Sequence, residues 1–144
     1  MKEINVVAAI LIVNNKVLAF QRKEGKHAYI SKKYEFPGGK INEFETSEQA
    51  LTRELFEELD ITYEVKKEEF FLNSSFQYPD FKLNITTFLI KKDTINYRLK
   101  EHLSCAFLNF DDLFCVEWAD ADIEILKELI KYQNKGQRIW KLGY

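Results

Sequence analysis

Cysteine is scarce in this sequence: Cys105 and Cys115 are the only two among 144 residues. Two thiols in a chain of this size do not make a disulfide framework, and they suit a reducing, cytoplasmic setting. They read as packing thiols. Histidine is equally sparse; His27 and His102 stand alone, without zinc-ligand spacing, and receive no role. A formal net charge of −2 provides no basic field, which argues against a nucleic-acid polymer as partner. The N-terminal apolar run "INVVAAILIV" is ten residues long, too short to span a bilayer, and no cleavage signal follows it. Repeats, low-complexity tracts and linkers are also missing, so residues 1–144 are expected to form a single domain. The turn "PGGKIN" lacks the upstream Gly and the following Ser or Thr of a P-loop, and neither GxGxxG nor GxSxG occurs.

What is present is enough apolar residue, 46 %, to bury a real core. "INVVAAILIV" reads as a buried strand, and "KVLAFQR" resumes after Asn14-Asn15 as the second arm of a hairpin. Lys23 to Lys33 reads as a polar loop, and "YEFPGG" as a short strand ending in a turn. Thr46 and Gln49 form a capping-box pair ahead of Leu51, Leu55 and Leu59, which mark the buried face of a helix. A strand is expected through Phe76, a turn at Tyr78-Pro79-Asp80, and an alternating strand in "FKLNITTFLI". "SCAFLNF" is a further strand candidate. "ADADIEILKELIKYQNKG" reads as a second helix, with an Asp cap at its start and Gly136 after its end. Strands interspersed with two main helices imply a layered α/β architecture.

The first helix carries an acidic cluster. Glu54, Glu57 and Glu58 span roughly 100° of its surface, at the edge of the leucine face. Like charges at this spacing cost about 0.2–0.5 kcal/mol per pair when solvated. Arg53 can offset Glu57 at i,i+4, but it is one cation against three acids. The plain reading is a solvated acidic face. The sharper reading uses the Gly38-Gly39 turn just upstream, whose backbone can come close and offer a carbonyl. Carboxylate and carbonyl oxygens suit a hard divalent cation such as Mg²⁺, completed by substrate phosphate.

The spacing Gly39, Glu45, Arg53-Glu54-Leu55, Glu57-Glu58, Asp60-Ile61 resembles the Nudix box over 23 residues. It departs at Asp60, where the pattern has Gly. "NVVAAILIVNNKVLAFQR", "YEFPGGKI", the "EH" at 101–102 and "WADADIEIL" extend the similarity to the MutT-like branch, which includes cytidine triphosphate pyrophosphohydrolases.

The resemblance implies an α/β/α sandwich with a mixed β-sheet flanked by helices. It implies a Mg²⁺-dependent hydrolase, with Mn²⁺ as a substitute, that releases a nucleoside monophosphate and pyrophosphate. Glu54, Glu57 and Glu58 would hold the metal, helped by the Gly38 carbonyl. Glu45 and Arg53 would fix the loop against the helix, with Gly39 as the close-approach residue. Glu101 matches a later acid that adds to the metal site or acts as base; a solvated loop acid is the alternative. Which glutamate takes the proton stays open. Arg22 and Lys40 would contact the nucleotide. Tyr78, Trp118, Phe36 and Phe81 are candidates to stack a base.

Asp120 matches a base-reading position, and an acceptor there suits the cytosine N4 amine. Asp120 or Asp122 capping the last helix is the alternative. The expectation is therefore (d)CTP or a modified cytosine nucleotide, with 8-oxo-dGTP next. ADP-ribose and a non-catalytic nucleotide-binding module rank lower. A monomer or homodimer fits equally well.

Overall fold

The computed structural model describes residues 2–25 and 31–141, with side chains through 136. His27 and part of the expected 23–33 loop lie outside the described residues. Seven strands form one mixed sheet: β1 (Lys2–Val13), β2 (Lys16–Gln21), β3 (Tyr34–Glu35), β4 (Gly38–Lys40), β5 (Phe70–Gln77), β6 (Phe81–Lys92) and β7 (Ser104–Leu108). Two helices flank it, α1 (Ser47–Leu59) and α2 (Asp120–Lys141). Among the described residues, no helix is long and apolar enough to cross a membrane.

The first strand organises the rest. It pairs in parallel with β6 from Lys2↔Phe81 to Val13↔Lys92 without a break. Its side chains alternate, and both faces are covered. Val7, Ala9, Leu11 and Val13 pack with Ala50, Leu51, Leu55 and Leu59 of α1. Ala8, Ile10 and Ile12 pack with Ile125, Leu126 and Leu129 of α2. The apolar run is continuous because each alternate residue meets a different helix. This is the expected α/β/α sandwich with a mixed sheet.

The other edge of β1 changes partner partway along. Asn14 and Asn15, with φ of 50° and 64°, make the tight turn that pairs β2 with Ile12 and Val13. Farther back, β4 takes the same edge at Val6, Val7 and Ala8. Between the two, the Ala9 N–H donates to the Pro37 carbonyl at 2.9 Å. The Gly-Gly segment, expected as a turn, is thus a short strand. Gly38 is required there, since a Cβ would overlap the Val7 carbonyl.

Local signals set the start of α1. Thr46 accepts from the Gln49 N–H at 3.1 Å, and the Gln49 side chain accepts from the Thr46 N–H at 3.0 Å. Asp60 ends the helix in the left-handed region, φ 58° and ψ 29°, with its N–H bonded to the Phe56 carbonyl. Glycine adopts this geometry without the Cβ conflict. Asp60→Gly is expected to raise the melting temperature by about 1–3 °C and leave turnover within about twofold, because the cap is exposed and its side chain makes no hydrogen bond or ion pair to Glu54, Glu57 or Glu58 among the described residues. A tenfold gain in turnover on replacing Asp60 would show instead that the cap geometry controls the site.

The second helix differs from expectation. It continues through Gly136 to Lys141. Glycine permits a left-handed stop but does not impose one, and Gly136 does not take a positive φ. A Cβ there would meet nothing within 4 Å, so the residue sits on an open helix surface.

Candidate active site

The α1 carboxylates are sorted by their partners. Arg53 is the hub. Its Nε donates to Glu45 Oε2 at 2.7 Å and its Nη2 to Glu45 Oε1 at 2.9 Å, a two-point fork. Nη2 also reaches the Lys40 carbonyl at 2.9 Å, tying the loop before α1 to β4. Nη1 donates to Glu54 at 2.8 Å and to Glu57 at 3.2 Å. These bonds hold Glu45 down to about 2, chiefly through the Arg53 hydrogen bonds. Glu54 is 15 % exposed and lies against Gly39, where any Cβ would collide with its carboxylate. Glu57 is 54 % exposed and faces outward.

Glu58 points the other way. It accepts the Gly38 N–H at 3.0 Å. Burial, then the charges of Glu35 and Glu54, push it up to about 8, against the Gly38 hydrogen bond. Glu54 is raised as well, mainly by burial and despite Arg53. Glu101 is exposed, yet close enough to add to the repulsion on both. Acids that crowd one another until they resist ionising are a site short of positive charge. Their oxygen donors fit a hard divalent cation. The residues present therefore suit the metal that the resemblance implies.

Two neighbours of Glu58 join the site only through the fold. Donor atoms of Glu35, Glu58 and His102 lie within 4.8 Å of one another. Glu35, in β3, accepts from Arg22 Nη1 at 2.8 Å and pairs through its other oxygen with His102 Nε2 at 2.9 Å. His102, given no role above, is buried in the site. Glu35 is a lone acid in "YEFPGG", and only its pairing opposite Phe20 turns it toward α1.

A cleft of about 300 Å³ opens beside these groups. Arg22, Lys40, Gly38, Gly39 and Glu58 line it, as do Phe36, Tyr78, Phe81 and Asp122. Tyr78 and Phe81 rings stand 5.1 Å apart, tilted by 30°. Arg22, Lys40 and Tyr78 are thus brought together with the glycines and one box glutamate.

Trp118 and Asp120 are not brought to the cleft. Trp118 is buried, its Nε1–H donates to the Leu113 carbonyl at 2.6 Å, and its ring packs on Phe36 at 4.8 Å. It supports the cleft wall from behind instead of facing a base. Asp120 is 51 % exposed, opens α2 and pairs with Lys33 at 3.7 Å. The acid that faces the cleft is Asp122, two residues on. It is buried, accepts from the Phe36 N–H, and is raised well above the usual carboxylate range by burial and by Glu35, despite Arg22.

Comparison with known proteins adds to this geometry. The NUDIX domain family matches residues 3–129. A Buchnera aphidicola subsp. Schizaphis graminum protein described as 8-oxo-dGTP diphosphatase is 31 % identical over 131 residues, 91 % of this chain and 96 % of that one. The 8-oxo-dGTP diphosphatase of Escherichia coli (strain K12) is 33 % identical over 92 residues, 64 % of this chain and 69 % of that one. Among solved structures, the E. coli ORF135 protein superposes with a TM-score of 0.77 at 28 % identity over 92 % of both chains. The MutT protein from Methanosarcina mazei Go1 gives 0.77 at 22 % identity, over 93 % of this chain and 96 % of that one.

Proposed function

This chain belongs to the NUDIX family of hydrolases, in its MutT-like branch, and from that premise we propose that it hydrolyses 8-oxo-dGTP to 8-oxo-dGMP and pyrophosphate. The observation that carries the reading is one cleft lined both by Glu58, from the α1 side, and by Asp122, from the α2 side. An acid group suited to metal and phosphate and a polar group suited to a base then serve one nucleotide.

The cytosine preference rested on Asp120, whose carboxylate is turned to Lys33 and solvent. Asp122 carries different chemistry. Held neutral, a carboxylic acid has an O–H donor beside a carbonyl acceptor. Guanine presents two acceptors, O6 and N7, on its major-groove edge. In 8-oxoguanine N7 carries a hydrogen, so that edge becomes acceptor plus donor. A neutral Asp122 complements the oxidised base on both atoms and the ordinary one on only one. An unmet buried polar partner is a strong basis for rejection. Tyr78 and Phe81 supply the aromatic surface beside it.

The metal would be Mg²⁺, with Mn²⁺ as a substitute, held by Glu54, Glu57, Glu58 and Glu101 with the Gly38 carbonyl. When bound, it neutralises charge on the phosphates and acidifies a water. The protein's own share is orientation. Arg22 and Lys40 bring positive charge to the nucleotide, and Arg53 fixes the glutamate rotamers. Water adds its hydroxyl to one phosphorus as the bridging P–O bond breaks. The released proton passes to a carboxylate within reach of that water.

The test is pyrophosphate release from 8-oxo-dGTP, dGTP, dCTP and CTP with Mg²⁺. We expect kcat/KM for 8-oxo-dGTP to exceed that for dGTP by at least about 10²-fold. Asp122→Asn, which keeps a donor beside an acceptor, should retain the preference. Asp122→Leu should lose it, and Asp120→Asn should not change it. A higher kcat/KM for dCTP than for 8-oxo-dGTP would restore the cytosine reading.

A further inference from the structure

Resting on the nucleotide-cleft reading above, we propose that His102 and Glu35 are positioning residues, a buried strut that holds the Arg22 guanidinium against bound nucleotide. The strut runs through three segments distant in sequence. Arg22 follows the last residue of β2 and its side chain is 43 % exposed. A long cation this open to water gains little from a surface ion pair and samples many rotamers. Its partner differs. Glu35, which also lines the cleft, is 17 % exposed and His102 is 3 % exposed, so the chain of contacts ends on a buried ring.

Each link has a geometric cause. Phe20 pairs with Glu35 across β2 and β3, and Arg22 N–H bonds to the Lys33 carbonyl at 2.9 Å, so Arg22 and Glu35 are diagonal neighbours on one face. The His102 ring packs on Phe20, with centroids 5.4 Å apart. The chain just after it is pinned by the Leu103 N–H donating to the Gln21 carbonyl at 2.9 Å. Glu35 therefore sits between two donors, with one oxygen for each. A carboxylate can only accept, so His102 Nε2 carries the hydrogen. That leaves Nδ1 as the ring's other nitrogen, buried without a partner among the described residues.

A purely structural ion pair would tie the start of β7 to β3 and end there. This one continues to a residue that lines the cleft. Removing His102 leaves Glu35 with one donor and free to rotate, and Arg22 then loses its fixed direction.

The probes are 8-oxo-dGMP, for Kd by calorimetry without metal, and 8-oxo-dGTP with Mg²⁺, for KM and kcat. His102→Leu is expected to raise Kd and KM about tenfold while kcat stays within about threefold. His102→Gln, which restores an N–H donor, should recover most of the affinity. Arg22→Ala combined with His102→Leu should bind no more weakly than Arg22→Ala alone, since residues that act as one unit are not additive. If His102→Leu fails to fold, His102→Phe, which keeps a ring against Phe20 but has no N–H for Glu35, answers in its place. It should weaken binding without adding to Arg22→Ala. Additive losses, or wild-type Kd in the folded variants while Arg22→Ala binds weakly, overturn the strut alone. Wild-type Kd in Arg22→Ala overturns the strut, while the nucleotide-cleft reading fails only if the substrate panel shows no pyrophosphate release.

Discussion

Glu58→Gln is expected to lower turnover about 10²–10³-fold while making the metal-free protein more stable near pH 8. The two effects have one origin. Glu58 is buried beside Glu35 and Glu54, and these push it up to about 8 from an ordinary value of 4.5. In the unfolded chain it loses its proton near pH 4.5. In the folded chain it keeps the proton until about pH 8. Between those values the folded state binds the extra proton, so stability falls as pH rises. The contribution is complete below 4.5 and gone once pH has passed about 8. Glutamine removes the charge but leaves an amide oxygen to accept the Gly38 N–H, so the contact with β4 survives. Melting temperatures in chelator from pH 4.5 to 8.5 check this. The variant should gain on the wild type across the range. A constant difference would mean that the carboxylate is not held out of water. Unchanged turnover would remove Glu58 from the site.

Arg53→Ala is the second large change. It deletes the donor to Glu45, Glu54, Glu57 and the Lys40 carbonyl together. Three carboxylates lose their nearest counter-charge, and the loop before α1 loses its tie to the helix. We expect a loss of about 1–3 kcal/mol, read as a drop of about 3–10 °C in melting temperature. Turnover should fall about 10²-fold, because Glu54 and Glu57 are no longer held in one rotamer. Arg53→Lys should rescue little. An ammonium cannot form the two-point fork with Glu45 and also reach Glu54. Near-normal turnover in the lysine variant would mean that charge alone matters at this position.

How much of this was legible from residues depends on how local each signal is. The start of α1 was legible because the Thr46–Gln49 box involves neighbours in sequence. The Glu45–Arg53 pair is what the family resemblance implies, and the fold makes it a two-point fork. The α2 stop was not legible. Gly136 permits a helix end, and whether the chain uses it depends on what lies around it. Trp118 shows the same limit for aromatics. A ring in a cleft wall and a ring behind that wall look alike in sequence, and only packing against Phe36 and Leu113 separates them.

By itself, then, the sequence determined a layered α/β architecture and the acidic edge of α1. Apolar runs and alternation set which faces must be covered, and that physics is carried within each segment. Only the tertiary structure decided that Asp122 and not Asp120 faces the cleft, and that Glu35 and His102 stand beside Glu58. Glu35 and His102 are 67 positions apart. A contact between such residues is made by strand register and by burial, which act on the folded chain and leave no local trace in the order of its residues.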